Sequence, residues 1–138
     1  MKPNASLFSV RIGNMEKSEF GGRVKLDTKT KRLVKRLRGD EIAVINHRDL
    51  DRITAESLLE TKVKIVVNAD KFMSGRYPNI GPLLLARSGV FLYEAPPKIF
   101  EVLKEGDYVE IKEEGLYKDG NLLLNLAPIS LRELEERF

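Results

Sequence analysis

The apolar positions of the chain fall into two alternating patterns. Glu41 to Ile45 (EIAVI) and Val63 to Val67 (VKIVV) are short runs rich in β-branched side chains and bounded by turn residues, the signature of strands buried on both faces. Val90 to Tyr93 is a third run of this kind. Between the first two, Thr54 is placed to cap a helix that carries Glu56 in its first turn, faces Leu58 and Leu59 inward and ends at Lys62. Between the second and third, Pro82 suits a first helical position, Leu83 to Ala86 supply a buried face, and Gly89 suits the left-handed residue past the last turn. Strand and helix thus alternate over residues 41–93, which predicts a parallel βαβαβ core.

The flanks follow different patterns. Ser6 to Leu26 alternates only in patches and is interrupted by Gly21-Gly22, so a short strand or an adherent arm is expected there. Lys29 to Arg38 places Leu33, Val34 and Leu37 at helical spacing among Lys and Arg, a basic amphipathic helix that Gly39 ends. After Pro96-Pro97, the segments Tyr108 to Ile111, Leu116 to Lys118 and Asn121 to Leu126 surround Gly115 and an Asp119-Gly120 hairpin turn, which predicts short antiparallel strands. Ser130 and Glu133 form a capping box opening a helix still running at Phe138, as at an artificial or interdomain boundary. The expected fold class is therefore α/β, a parallel core with added antiparallel strands. Its expected divisions are an arm with a basic helix (1–38), an α/β domain (39–128) and the start of a helical linker to a further domain (129–138).

A length of 138 residues suits one domain, and 42% hydrophobic with 33% charged residues is a globular composition. No apolar run approaches the roughly 18–20 residues of a membrane span, and Met1 to Asn14 lacks the apolar stretch of a signal peptide, so a cytoplasmic location is expected. The absence of Cys excludes thiolate chemistry, and a single His leaves zinc without its usual ligands. The net charge of +3 hides an asymmetry: residues 1–40 carry 11 basic and 4 acidic side chains, residues 101–138 carry 5 and 10. Either the two ends neutralise each other, or a basic arm is held out for an anionic partner. The segment Arg23 to Arg38 would bind anionic lipid or polymer weakly and in a salt-sensitive way. Without interleaved aromatic residues it is not expected to bind nucleic acid specifically.

Two polar loops carry the candidate chemistry. Asn46, His47, Arg48, Asp49, Asp51 and Arg52 follow the first buried strand directly, at the carboxyl edge where open α/β sheets bind ligands. Asp49 and Asp51 offer carboxylates either to a hard cation such as Mg²⁺ or to Arg48 and Arg52. Asn68 opens the second loop, which leads through Ser74, Gly75, Arg76, Tyr77, Asn79 and Gly81 into Pro82. Glycines that permit close backbone approach, neutral donors, a guanidinium and a following helix start are the parts of an anion site. The alternative is a rigid loop in which Pro78 and Pro82 fix the turn and Tyr77 packs. Neither a Walker loop nor a GxGxxG fingerprint occurs, and no serine motif or Cys provides a nucleophile, so no catalytic residue is assigned.

The strings GDEIAVINHRDLDRITAESLL (39–59) and VVNADKFMSGRYPNIGP (66–82), preceded by TKTKRLVKRL (28–37), closely resemble the N-terminal region of the SteA-like family, bacterial cell-division proteins also described as thiamin pyrophosphokinase-like. The likeness spans roughly Gly22 to Leu126. It departs at Asn46, where the family usually has Asp, and at Met73, where a smaller side chain is typical. The resemblance implies an N-terminal, non-catalytic binding or regulatory module of a longer protein that continues into a kinase-like domain and a membrane segment. ATP, Mg²⁺ and thiamin phosphate would belong to that later domain, and a membrane-bound division partner to the whole protein. Two alternatives stay open, an accessory part of a thiamin-phosphate or nucleotide transfer site and a protein–protein scaffold. In layout the chain also resembles the swivelling β/β/α domain of phosphoenolpyruvate-using enzymes, including a Gly106-Asp107 pair. The loop entering the second helix has no histidine, so phosphoryl carriage is not expected.

Overall fold

Strands buried on both faces need a layer on each side, and residues 42–45 and 65–68 are buried at every position. A computed structural model of the chain describes residues 6–12, 15–76 and 79–137, with side chains from Glu19 onward. The elements in chain order are β1 (Ser6–Ile12), β2 (Met15–Leu26), α1 (Thr30–Leu33), β3 (Ile42–Ile45), α2 (Arg52–Glu60), β4 (Ile65–Asn68) and α3 (Gly81–Arg87). They continue with β5 (Phe91–Glu94), α4 (Ile99–Val102), β6 (Tyr108–Lys112), β7 (Gly115–Lys118), β8 (Asn121–Asn125), β9 (Ala127–Ile129) and α5 (Leu131–Arg137). The strands form one mixed sheet in the order β8-β7-β6-β2-β3-β4-β5-β9, with β1 paired to β2.

The predicted parallel core is present: β3 pairs with β4, and β4 with β5, all parallel. Alternate side chains serve different layers. Ala43, Ile45, Val66 and Leu92 join Leu58, Leu85 and Leu134 beneath the helices, whereas Ile42, Val44, Ile65, Val67 and Tyr93 join Val109, Ile111, Leu116 and Leu124 on the antiparallel side. Antiparallel pairing of β6, β7 and β8 matches expectation, with Asp119 at φ 52° and Gly120 at φ 79° turning the last hairpin.

Residues 6–26 correct the expectation of a short strand or adherent arm. β1 and β2 pair antiparallel, and β2 runs 12 residues without a break at Gly21-Gly22. Within that length β2 pairs antiparallel with β6 over Glu19 to Arg23 and parallel with β3 over Val24 to Leu26, so it joins the two halves of the sheet. Gly21 is a packing glycine here, because a Cβ would run into the Tyr108 hydroxyl. The far ends of the strand path, β8 and β9, are separated only by Leu126. Two peptide units span at most about 7 Å, so the sheet must curl until its ends meet. Leu126 itself is buried, and its amide donates to the Glu114 carbonyl at 2.6 Å.

The helices also need correction. The basic helix is helical only over Thr30–Leu33, then continues as turns. The N-cap position of α2 is Asp51, not Thr54. Neither α4 nor β9 had a sequence signal strong enough to be expected. One half of the predicted α5 capping box is formed, the Glu133 amide donating to Ser130 Oγ at 3.1 Å, while the Glu133 carboxylate accepts from the Ser130 hydroxyl at 3.3 Å. Among the described residues no helix is long and apolar enough to cross a membrane.

Part of the basic segment is tied down by ion pairs. Asp27 accepts from Arg32 at 2.9 Å and from Arg36 at 3.0 Å, and Arg36 also donates to Glu105 at 2.9 Å and to the Leu26 carbonyl at 2.9 Å. Glu105 lies in the acidic C-terminal segment, so at this point the two charged ends do neutralise each other, while Lys31 and Lys35 stay exposed. Burial opposes ionisation of Asp27, yet the Lys29 amide and the two guanidiniums outweigh it and lower its pKa to about 2. A folded-state pKa below the unfolded one stabilises above about pH 4, and that stabilisation is lost as pH falls through 2. Urea midpoints measured between pH 5 and pH 2 are expected to drop less steeply for Asp27→Asn than for the wild type, starting from a lower value at pH 5.

Candidate functional site

The carboxyl ends of β3, β4 and β5 lie side by side, so the loops that follow β3 and β4 become neighbours. One buried amide fastens them together. Asn68, fully buried at the end of β4, donates from Nδ2 to the His47 carbonyl at 2.8 Å and accepts at Oδ1 from the amides of His47 at 3.0 Å and Asp70 at 3.1 Å. The backbone adds Asp49 N to Lys71 O at 3.0 Å and Leu50 N to Phe72 O at 3.2 Å.

Further along, Asp49 and Ser74 form a two-point contact. Asp49 Oδ1 accepts from the Ser74 amide at 2.6 Å, and Oδ2 from the Ser74 hydroxyl at 2.7 Å. Asp49 itself sits at φ 53°, a left-handed conformation that Asp tolerates better than most residues. Hydrogen bonds from the Ser74 amide and hydroxyl, and then the charges of Arg48 and Arg76, hold its carboxyl below the usual range. A carboxylate so stabilised is a poor base at neutral pH, so Ser74 is a fixed donor and not an activated nucleophile.

Asn79 closes the arrangement. It is 9% exposed, and its Nδ2 donates to the carbonyls of Leu50 and Phe72, both at 2.9 Å, so one side chain again bridges the two loops. Gly81 follows because α3 starts against the backbone of the first loop: a Cβ there would overlap the Leu50 carbonyl oxygen and lie 2.7 Å from that of Asp51.

An open cavity of about 770 Å³ lies at this edge, lined by Arg48, Lys71, Met73, Ser74, Gly75, Glu94 and Arg137. Arg48, Ser74 and Gly75 come from the expected set, and Gly75 uses its freedom at φ 88° to turn the loop. Asn68, Asn79, Gly81 and Asp49 instead build the walls. His47 is held between Thr30 Oγ1 at 3.0 Å and Asp51 at 3.5 Å. Burial opposes ionisation of Asp51, but hydrogen bonding at Thr54 and the nearby His47 bring its pKa below the ordinary value. Asn46 is exposed, Arg52 pairs with Glu56 at 3.4 Å, and Arg76 is exposed with its amide donating to Ser74 Oγ at 3.2 Å. Tyr77 lies outside the described residues. Asp49 and Asp51 are turned to Ser74 and His47, an arrangement that does not fit Mg²⁺. Among the described residues no three His, Cys, Asp or Glu side chains converge to hold a metal.

Lys71, Met73, Glu94 and Arg137 were not expected from sequence. Glu94 is the last residue of β5, and the rule that ligands bind at carboxyl strand ends would have found it had the strand been extended by one residue. It accepts from the Phe72 amide at 2.8 Å and pairs with Lys71 at 3.3 Å, fixing the second loop from a third strand. Arg137 has no local signal, since only the packing of α5 brings it here.

No family model matches the chain, and no curated protein matches it. Among solved structures it is similar to a 3-isopropylmalate dehydratase (leuD) from Methanocaldococcus jannaschii, with 11% identity and a TM-score of 0.53 over 86% of this chain and 94% of that one. It is also similar to RraAS2 of Streptomyces coelicolor, an unusual member of the RNase ES inhibitor RraA protein family, with 11% identity and a TM-score of 0.49 over 97% and 76%. The first likeness is one of mixed α/β fold.

Two stability outcomes follow from the walls. Asn68→Ala leaves two amides and a carbonyl without partners and is expected to lower the unfolding free energy by roughly 3 kcal/mol in urea titration. Gly81→Ala is expected to cost about 1–3 kcal/mol, because backbone and not a flexible side chain must move; a thermal midpoint equal to wild type would contradict the close approach.

Proposed function

We propose that the chain is a non-catalytic binding or regulatory module that holds a phosphate-type anion in the cavity at the carboxyl ends of β3, β4 and β5. The observation that carries this reading is the composition of the cavity wall: three cations, Arg48, Lys71 and Arg137, stand with one carboxylate, Glu94, beside the Gly75 turn. Lys71 is matched by Glu94 at 3.3 Å and Arg48 is held to Asp70 only at 3.9 Å, which leaves Arg137 as the least compensated cation for an anionic group such as a phosphoryl monoester, which carries about −1.5 to −2 near neutral pH. Met73 adds apolar surface for the organic part of such a ligand.

At the level of family, the two long strings at 39–59 and 66–82 support a SteA-like cell-division protein, in which this module would sit before a kinase-like domain. Both strings fall on the walls just described, since they contain Asp49, Asn68, Ser74, Asn79 and Gly81. In fold, the helix layer, the parallel strands and the antiparallel strands β6 to β8 support reading it as a swivelling β/β/α-type domain. The reading assigns no phosphoryl transfer to the chain, because the loop into α3 offers no histidine and its serine is held by an ionised carboxylate.

Calorimetric titration with inorganic phosphate and inorganic pyrophosphate tests the site. The wild type is expected to bind pyrophosphate more tightly than phosphate, with affinity falling as salt rises. Arg48→Ala is expected to weaken binding about tenfold. Negligible heats with both anions, or an Arg48→Ala protein that binds as the wild type does, would overturn the proposal.

A further inference from the structure

One wall of the cavity comes from no strand or loop of the sheet. α5 packs against α3. Leu134 anchors it, 1% exposed in the core beneath the helices, and Arg87 of α3 pairs with Glu135 at 3.4 Å. Arg137 follows Leu134 by three positions, so it lies on the same side of the helix, and it reaches the cavity. The other charged side chains of α5 are engaged elsewhere: Glu133 with Ser130, Arg132 with Glu136, and Glu135 with Arg87. Of the three cations at the cavity, Lys71 has Glu94 at 3.3 Å and Arg48 has Asp70 at 3.9 Å. Among the described residues, Arg137 has no carboxylate within ion-pair distance.

We infer that Arg137 completes the anion pocket and that ligand binding and the docking of α5 on α3 are thermodynamically linked. The inference rests on the pocket reading above. A phosphoryl group held by Arg48 beside the Gly75 turn meets the third cation only while Leu134 keeps α5 in place. A ligand that gains a contact in the docked state alone shifts the equilibrium toward docking, and docking raises affinity by the same factor. The module would thereby convert occupancy at the sheet edge into the position of its last helix.

Hydrogen exchange across residues 131–137 of the full chain, with and without inorganic pyrophosphate, tests the linkage alongside calorimetry. In the wild type, pyrophosphate is expected to slow exchange in α5 severalfold. Arg137→Ala, an exposed substitution, is expected to weaken pyrophosphate about tenfold and to abolish that slowing, with Arg137→Lys restoring part of both. Leu134→Ala alters no cavity residue, yet it is expected to speed exchange in α5 without ligand and to weaken pyrophosphate. Pyrophosphate that binds the wild type and leaves α5 exchange unchanged, or binds Arg137→Ala equally well, overturns the linkage and leaves the pocket standing. No pyrophosphate binding to the wild type overturns the pocket and the linkage with it.

Discussion

The site depends on one buried amide. Asn68 satisfies both polar groups of the His47 backbone and the amide of Asp70 from a position with no access to water. Each of those groups would be costly to leave without a partner in the interior, so the two loops are held in a single relative position by the need to avoid that cost. Asn79 repeats the device one layer out, and the Asp49–Ser74 contact repeats it at the rim. The succession runs from a buried amide at Asn68 to a half-buried carboxylate at Asp49.

The sheet supplies the geometry that makes such bridging possible. Parallel neighbours place all their carboxyl ends at one edge, so Ile45, Asn68 and Glu94 end in register and the side chains beyond them converge. β2 extends this order by pairing with β3 in parallel and with β6 in antiparallel fashion, which lets one continuous sheet cover its own inner face. Leu126, which connects β8 to β9, is buried within that inner face. The same closure releases the chain beside β5, so that α5 starts next to α3 and delivers Arg137 to the site.

Charge follows a similar division. Sequence counting shows a basic beginning and an acidic end, and Arg36 reaching Glu105 joins the two. The cations left at the cavity are few, and they come from three distant segments: residue 48, residue 71 and residue 137. No run of basic residues marks them. Two arginines of the basic segment that stands out in the sequence, Arg32 and Arg36, clamp Asp27, whereas the cavity's charges are scattered singly along the chain.

The sequence by itself determined the parallel βαβαβ core, the antiparallel hairpins, the α5 cap and the two polar loops, because each is written in local periodicity or in a turn residue at fixed spacing. Tertiary structure alone decided what β2 is, since a strand that changes partners midway has no single alternation to display, and Gly21 looks like a break until Tyr108 is seen beside it. It also decided which loop residues face the cavity. Within 46–52 and 74–81 every polar residue was an equal candidate, and only burial separated Asn79 and Gly81, which build walls, from Arg48 and Gly75, which line them. Lys71, Glu94 and Arg137 became visible for the same reason: convergence at a sheet edge is a property of strand order and helix docking, which act between residues tens of positions apart and leave no trace in any short window.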